Sequence, residues 1–200
     1  MRLRTGVFVV LMLAIFVAKA SAQQVMATYA VKGGVGIGSI SSDFEENLPD
    51  SRTGVIFGAG VEIPYKMLSF VIEGLYNQMG ATGSDPDVGD IEARINYLQI
   101  PFLAKFSFGT ESNIKPFAYA GAAPAFTTSA KFKGGGEEED IRDEVKSTDF
   151  SILFGGGVRF GQFAGEVRYG WGLMNINGNA LESEINTRQI AILFSVLFGG

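Results

Sequence analysis

The residues best suited to chemistry in this chain are charges set singly into otherwise apolar stretches. They are Lys32, Glu62, Glu73, Lys105, Arg159, Glu166 and Arg168, with the neutral Gln99 in a similar setting. Three carboxylates and four bases suit an ion-paired interior, because buried charges persist only when paired. A charge-lined polar passage is the alternative. A proton-relay or catalytic dyad from Glu62 and Glu73 has no motif to support it. Arg159 and Glu166 flank the short segment Gly161-Gln162, so they are expected to face each other across a hairpin. A second group, Glu137, Glu138, Glu139 and Asp140, is followed closely by Asp143 and Glu144. It reads first as a solvated acidic loop, and secondly as a surface for divalent cations or a cationic partner.

Two other segments touch known patterns without meeting them. Asp85-Pro86-Asp87-Val88-Gly89-Asp90 lacks the closing bidentate Glu of a calcium loop. Gly34-Val35-Gly36-Ile37-Gly38 has no helix after it, so it is no dinucleotide loop, and its glycines are expected to make room for large neighbours. The absences are as informative. The 200 residues contain no His and no Cys, which excludes Ser-His and Cys-His catalysis, His or thiolate metal sites, and disulfides. With 16 Lys+Arg against 21 Asp+Glu, a general nucleic-acid binder is excluded as well. No catalytic residue, metal or cofactor is expected.

The elements that must position these charges are read from periodicity. Residues 1–22 carry Arg2 and Arg4, an apolar run from Gly6 to Ala18, then Lys19 and Ala20-Ser21-Ala22. Positive start, short apolar core and small-x-small exit make a cleavable signal peptide, too short for a spanning helix of roughly 20 residues. Residues 23–200 are then one domain. Within it, Phe163, Val167, Tyr169, Trp171 and Leu173 alternate strictly with Ala164, Glu166, Arg168, Gly170 and Gly172. That period of two marks a strand with unlike faces. The same alternation recurs over 54–65, 69–77, 97–106, 149–160 and 189–198, and less clearly over 27–40. An Ala-rich stretch over 115–128 completes eight strands, although its faces cannot be assigned.

Connections alternate between long (41–52, 79–93, 131–147, 174–186) and short (66–67, 109–114, near 161). Eight strands joined in this way predict an all-β, antiparallel up-and-down barrel with its long loops at one end. A soluble barrel would turn its apolar faces inward, and a transmembrane barrel would turn them to lipid. The apolar faces here are bulky and aromatic, the polar faces are rich in Gly, and aromatics recur near strand ends (Tyr29, Tyr65, Tyr76, Phe106, Phe160, Tyr169, Trp171). Small residues suit the crowded inside of a narrow barrel, and terminal aromatics suit a membrane-interface girdle. Together with the export signal, these features favour a transmembrane barrel over a secreted carrier of a small apolar ligand. Most of the 21 acids fall in the long loops, which such barrels place outside the cell.

The stretch Tyr97-Leu98-Gln99-Ile100-Pro101-Phe102-Leu103-Ala104-Lys105 resembles a strand of the PorT-like outer-membrane β-barrel family. Val31-Lys32-Gly33-Gly34-Val35, Gly60-Val61-Glu62-Ile63-Pro64, Lys115-Pro116-Phe117-Ala118-Tyr119-Ala120-Gly121, and Gly155-Gly156-Gly157-Val158 with Glu166-Val167-Arg168-Tyr169 resemble it in the same order. The resemblance implies an eight-stranded barrel in a Gram-negative outer membrane, one branch of the family serving protein secretion. Gln99 stands where that family has Glu, removing one interior charge. The chain ends Phe198-Gly199-Gly200, where such barrels usually end on the aromatic that the barrel assembly machinery reads. The expected partners are outer-membrane lipid, lipopolysaccharide, the barrel assembly machinery and a protein met by the extracellular loops. The expected role is structural or interactive rather than enzymatic. A small porin for ions or solutes, or a secretion component, is the alternative. Pro101 removes a backbone donor in mid-strand and is expected to mark a bulge.

Overall fold

The computed structural model describes residues 27–41, 50–85, 89–108, 113–134, 137–140, 147–173 and 186–199. The expected signal peptide lies outside them. Ten strand segments follow in chain order: β1 (Thr28–Ser41), β2 (Asp50–Tyr65), β3 (Leu68–Asp85), β4 (Gly89–Gln99), β5 (Phe102–Ser107), β6 (Ile114–Gly134), β7 (Glu137–Asp140), β8 (Thr148–Phe160), β9 (Phe163–Gly172) and β10 (Asn186–Phe198). Every pairing between them is antiparallel. β1 pairs with β2 on one side and β10 on the other, and β2 pairs with β3, so the sheet closes on itself. Closure satisfies the backbone polar groups without leaving a free edge, as a hydrocarbon environment demands.

β4 and β5 both lie between β3 and β6 and form one stave, interrupted at Ile100-Pro101. β7 pairs with the far end of β6 alone, outside the ring. The barrel therefore has eight staves, the number that the alternating segments predict. Pro101 corrects one expectation. Leu75 opposite Gln99 and Ile72 opposite Phe102 belong to a single register, as do Gln99 opposite Ala125 and Phe102 opposite Ala122. The proline thus interrupts the ladder without inserting a residue, and it is not a bulge. Its carbonyl still accepts a hydrogen bond from Glu73 N at 3.0 Å, while Ile100 N donates to Pro124 O at 2.9 Å. The register shifts fall elsewhere, between Asn96 and Tyr97 against β6 and between Ser51 and Ile56 against β3.

The faces sort as the alternation requires. Val31, Val35, Phe57, Phe70, Phe102, Phe154, Val167, Ile192 and Phe194 are exposed on the outside, and the charges turn inward. At the short-turn end Tyr29, Tyr65, Phe106, Phe160, Phe163 and Phe198 form an exposed aromatic collar. Toward the long-loop end Phe57 packs against Tyr76 at 4.9 Å between ring centroids, and Trp171 is exposed nearby in chain order to Tyr169. An outward apolar band flanked by aromatics is the signature of a barrel seated in a bilayer.

Three of the four long connections, those expected at 41–52, 79–93 and 131–147, are shorter than expected. β3 continues to Asp85 and β4 begins at Gly89, so most of 79–93 is a hairpin. β6 runs to Gly134, and Glu137, Glu138, Glu139 and Asp140, expected as loop, form β7. The register sets Lys131 opposite Asp140 and Lys133 opposite Glu138.

Candidate functional site

The lumen is where the sequence-predicted charges meet. Lys32 on β1, Glu73 on β3, and Glu166 and Arg168 on β9 are all buried. Lys32 Nζ donates to Glu73 Oε1 at 2.6 Å and to both Glu166 oxygens at 3.0 Å. Arg168 Nη2 donates to Glu166 Oε1 at 2.8 Å and lies 2.8 Å from Glu73 Oε2. The second contact is an ion pair out of line for a hydrogen bond, which leaves Glu73 Oε2 without one. Two acids and two bases thus form a closed, charge-neutral ring drawn from three staves. Tyr119 of β6 completes it: its hydroxyl accepts from Arg168 Nε at 2.9 Å and donates to Glu166 Oε1 at 3.0 Å.

Local structure explains why these atoms converge. Period two turns Glu166 and Arg168 to one face of β9, separated by the outward Val167. Glu73 is held by the ladder where β3 passes Pro101. Glycines on neighbouring staves make the room. A Cβ on Gly155 would collide with the Tyr119 ring, and one on Gly36 would stand 2.7 Å from Gln189 Nε2. The expectation that glycines admit large neighbours therefore holds at Gly36, one of the three in the Gly34–Gly38 run.

A second pair lies toward the short turns. Lys105 Nζ donates to Glu62 Oε2 at 2.8 Å and rides 4.3 Å above the centre of the Phe117 ring. Gln99 is buried on β4, opposite Leu75 and Ala125. Arg159 corrects another expectation. It stands opposite Ala164, whereas Glu166 stands opposite Gly157, so the two do not face each other across the β8–β9 hairpin. The barrel interior at Glu166 is two residues deeper than Arg159, whose Nε donates instead to Gly161 O at 2.9 Å.

Apolar side chains close the lumen around the ion pairs. Ile56, Leu75, Ala191 and Leu193 form one buried layer, and Leu103, Phe117, Tyr119, Leu153 and Leu197 belong to another. Between the ring and the Lys105–Glu62 pair remains a cavity of about 40 Å³. A single water needs roughly 10–15 Å³, so this space suits a few waters and no larger solute. Toward the long loops, Asn77 and Gln189 exchange side-chain amide hydrogen bonds at 2.9 and 3.1 Å.

Tyr119, Asn77, Gln189 and the buried Asp149 escaped the sequence reading of the site. Tyr119 sits in the Ala-rich strand, whose outward Ala118 and Ala120 give too little contrast to mark its faces. Asn77 and Gln189 carry no charge to single them out. Asp149 could have been found, since it shares a face with Ser151 and Leu153.

Residues 21–178 match the family described as outer membrane protein beta-barrel domain. Among curated proteins none matches the chain. Solved structures are similar in fold. OprG, an outer membrane protein from Pseudomonas aeruginosa, has a TM-score of 0.52 at 13% identity, covering 88% of this chain and 97% of its own. Neisserial surface protein A has a TM-score of 0.51 at 15% identity, covering 85% and 97%. Ail, the attachment invasion locus protein of Yersinia pestis, has a TM-score of 0.50 at 14% identity, covering 86% and 99%.

Proposed function

The chain belongs to the outer membrane protein beta-barrel domain family and is an integral outer-membrane protein, and we propose that it acts there as a closed, non-enzymatic barrel that displays its long-loop end to partners. One observation carries this reading. The neutral ring of Lys32, Glu73, Glu166, Arg168 and Tyr119 is packed between apolar layers, and the cavity beside it is only about 40 Å³. A pore needs a continuous wet path, and this interior supports a plug. The charges are spent on one another rather than presented to a passing ion.

The long-loop end is the surface left for recognition. Glu137–Asp140 extend it as a strand, and the acids of residues 41–52, 79–93 and 131–147 make it strongly negative. Cationic proteins, and divalent cations bridging lipopolysaccharide phosphates, match that charge. The stretch Tyr97–Lys105 favours the narrower kinship with PorT-like barrels. No residue described above selects a role in secretion.

Single-channel recording of the refolded protein in a planar bilayer tests the reading, with folding confirmed by a heat-sensitive shift on a denaturing gel. Folded protein is expected to give no conductance steps. Reproducible steps whose size changes in Glu73→Gln would overturn the plug and establish a small channel.

A further inference from the structure

At the short-turn end the lumen opens into a second cavity of about 210 Å³. Its wall carries Lys66, Lys105, Lys115 and Arg159. Among the described residues Glu62 is the one acid lining it, and Glu62 is already paired with Lys105 at 2.8 Å. Among the described residues, three cations from three separate places therefore have no acid beside them in the lining: the β2–β3 turn, the start of β6 and the end of β8. The opposite end of the barrel is acidic, so this concentration of positive charge does not reflect the composition of the chain.

Two features of the mouth run against ordinary stability. Lys115 and Arg159 are direct cross-strand partners. Like charges placed directly opposite each other repel, and most sheets avoid them. Lys66 occupies the left-handed backbone region at φ 59°, where Gly, Asn or Asp is the usual residue. The two-residue β2–β3 turn needs a positive φ at this place, and a lysine there in place of glycine sets a charge at the mouth. Arg159 donates from Nε to Gly161 O at 2.9 Å, which holds the guanidinium at the mouth.

We infer that this mouth is a binding site for a phosphate-bearing anion. An anion between Lys115 and Arg159 replaces their repulsion with two charge-assisted attractions. A phosphate has enough acceptor oxygens to meet an Arg fork and two ammonium groups at once, whereas a carboxylate has only two oxygens. The cavity holds such a group with part of its hydration shell, given roughly 10–15 Å³ per water. Short turns of outer-membrane barrels face the periplasm. The anion is thus either a phospholipid headgroup of the inner leaflet, level with the aromatic collar, or a free phosphate of the periplasm. The site does not depend on what the long loops bind.

The test is a titration of the refolded protein in alkyl maltoside micelles, which carry no phosphate, with inorganic phosphate at constant ionic strength against chloride, followed by backbone amide shifts. Saturable shifts are expected at Lys66, Lys115, Arg159 and Gly161. The combined variant Lys115→Gln/Arg159→Gln should weaken binding by roughly tenfold or more, as loss of charge-assisted bonds implies, while Lys115→Arg/Arg159→Lys retains it. A second arm adds phosphatidylglycerol to the micelles. If the same amides shift with the lipid and added phosphate then competes, the headgroup is the occupant. If only free phosphate moves them, the occupant is soluble. The inference is overturned if neither phosphate nor anionic lipid shifts these amides, or if the Gln variant binds as the original protein does. The heat-sensitive gel shift of each variant confirms that it folds.

Discussion

The ring of Tyr119 fills the space that a Cβ on Gly155, its cross-strand partner, would need. An absent side chain on β8 thereby positions a hydroxyl that joins Arg168 to Glu166 on β9. Gly155→Ala is expected to displace the ring and lower stability by about 1–3 kcal/mol, the usual range for overpacking. Tyr119→Phe should cost a similar amount, about 1–3 kcal/mol, because Arg168 Nε then lacks its buried acceptor. The two effects are coupled. In a Tyr119→Ala background Gly155→Ala should be close to neutral, and a double-mutant cycle from urea unfolding in lipid vesicles reads the difference. Additive effects would mean that Tyr119 does not depend on Gly155.

Lys32 is the next test, because its single ammonium hydrogen-bonds both Glu73 and Glu166. Lys32→Met leaves two buried carboxylates sharing Arg168. Removing one member of a buried ion pair typically costs about 3–5 kcal/mol. Restoring neutrality by adding Glu73→Met should recover part of that loss, since charges removed together leave no uncompensated ion. The expected order of urea midpoints is original protein, double variant, single variant. A single variant more stable than the double would show that the ring is not electrostatically closed.

The barrel was legible in the sequence because lipid and lumen impose opposite demands on alternate residues. Phe150, Ile152 and Phe154 against Asp149, Ser151 and Leu153 is the clearest case, and the structure sorts their side chains accordingly. Legibility failed where that contrast fails. Ala118 and Ala120 face outward but look no different from an inward alanine, so Tyr119 was not recognised. Glu137–Asp140 show no alternation of apolar and polar residues and read as loop although they pair with β6. The ion pairs were half legible. Alternation placed Lys32, Glu73, Glu166 and Arg168 inside, but their partners depend on how far each strand slides past the next. One sequence does not encode that stagger visibly. Arg159 shows the consequence: proximity to the β8–β9 turn suggested Glu166, and the register supplied Ala164.

Neighbouring residues on β10 separate packing from lipid contact. Leu193 is fully buried in the lumen, opposite Gly34 and Glu166, while Ile192 is exposed on the outer face. Leu193→Ala removes packed atoms next to the ion pairs and is expected to cost about 2–5 kcal/mol. Ile192→Ala exchanges side-chain atoms for lipid tails, which are as apolar as the group removed, so its effect should be much smaller. Urea unfolding of both variants in the same vesicles makes the comparison. Equal losses would argue against the assignment of inside and outside on β10.

The seating of the barrel in the bilayer can be tested by charge placed at two depths. Val167 lies near the middle of β9, between Gly156 on β8 and Ile192 on β10, and its side chain is 55% exposed on the outer face. Phe160 ends β8 beside the turn at Gly161 and is exposed in the aromatic collar. An arginine at the bilayer midplane costs about 2–4 kcal/mol, and near the interface only about 0–1 kcal/mol, because the side chain can reach the headgroups. Val167→Arg should therefore shift the unfolding midpoint strongly in vesicles, and Phe160→Arg should shift it little. The contrast depends on lipid. In water a surface arginine costs little at either position, so a soluble barrel with this outer face would show no depth dependence.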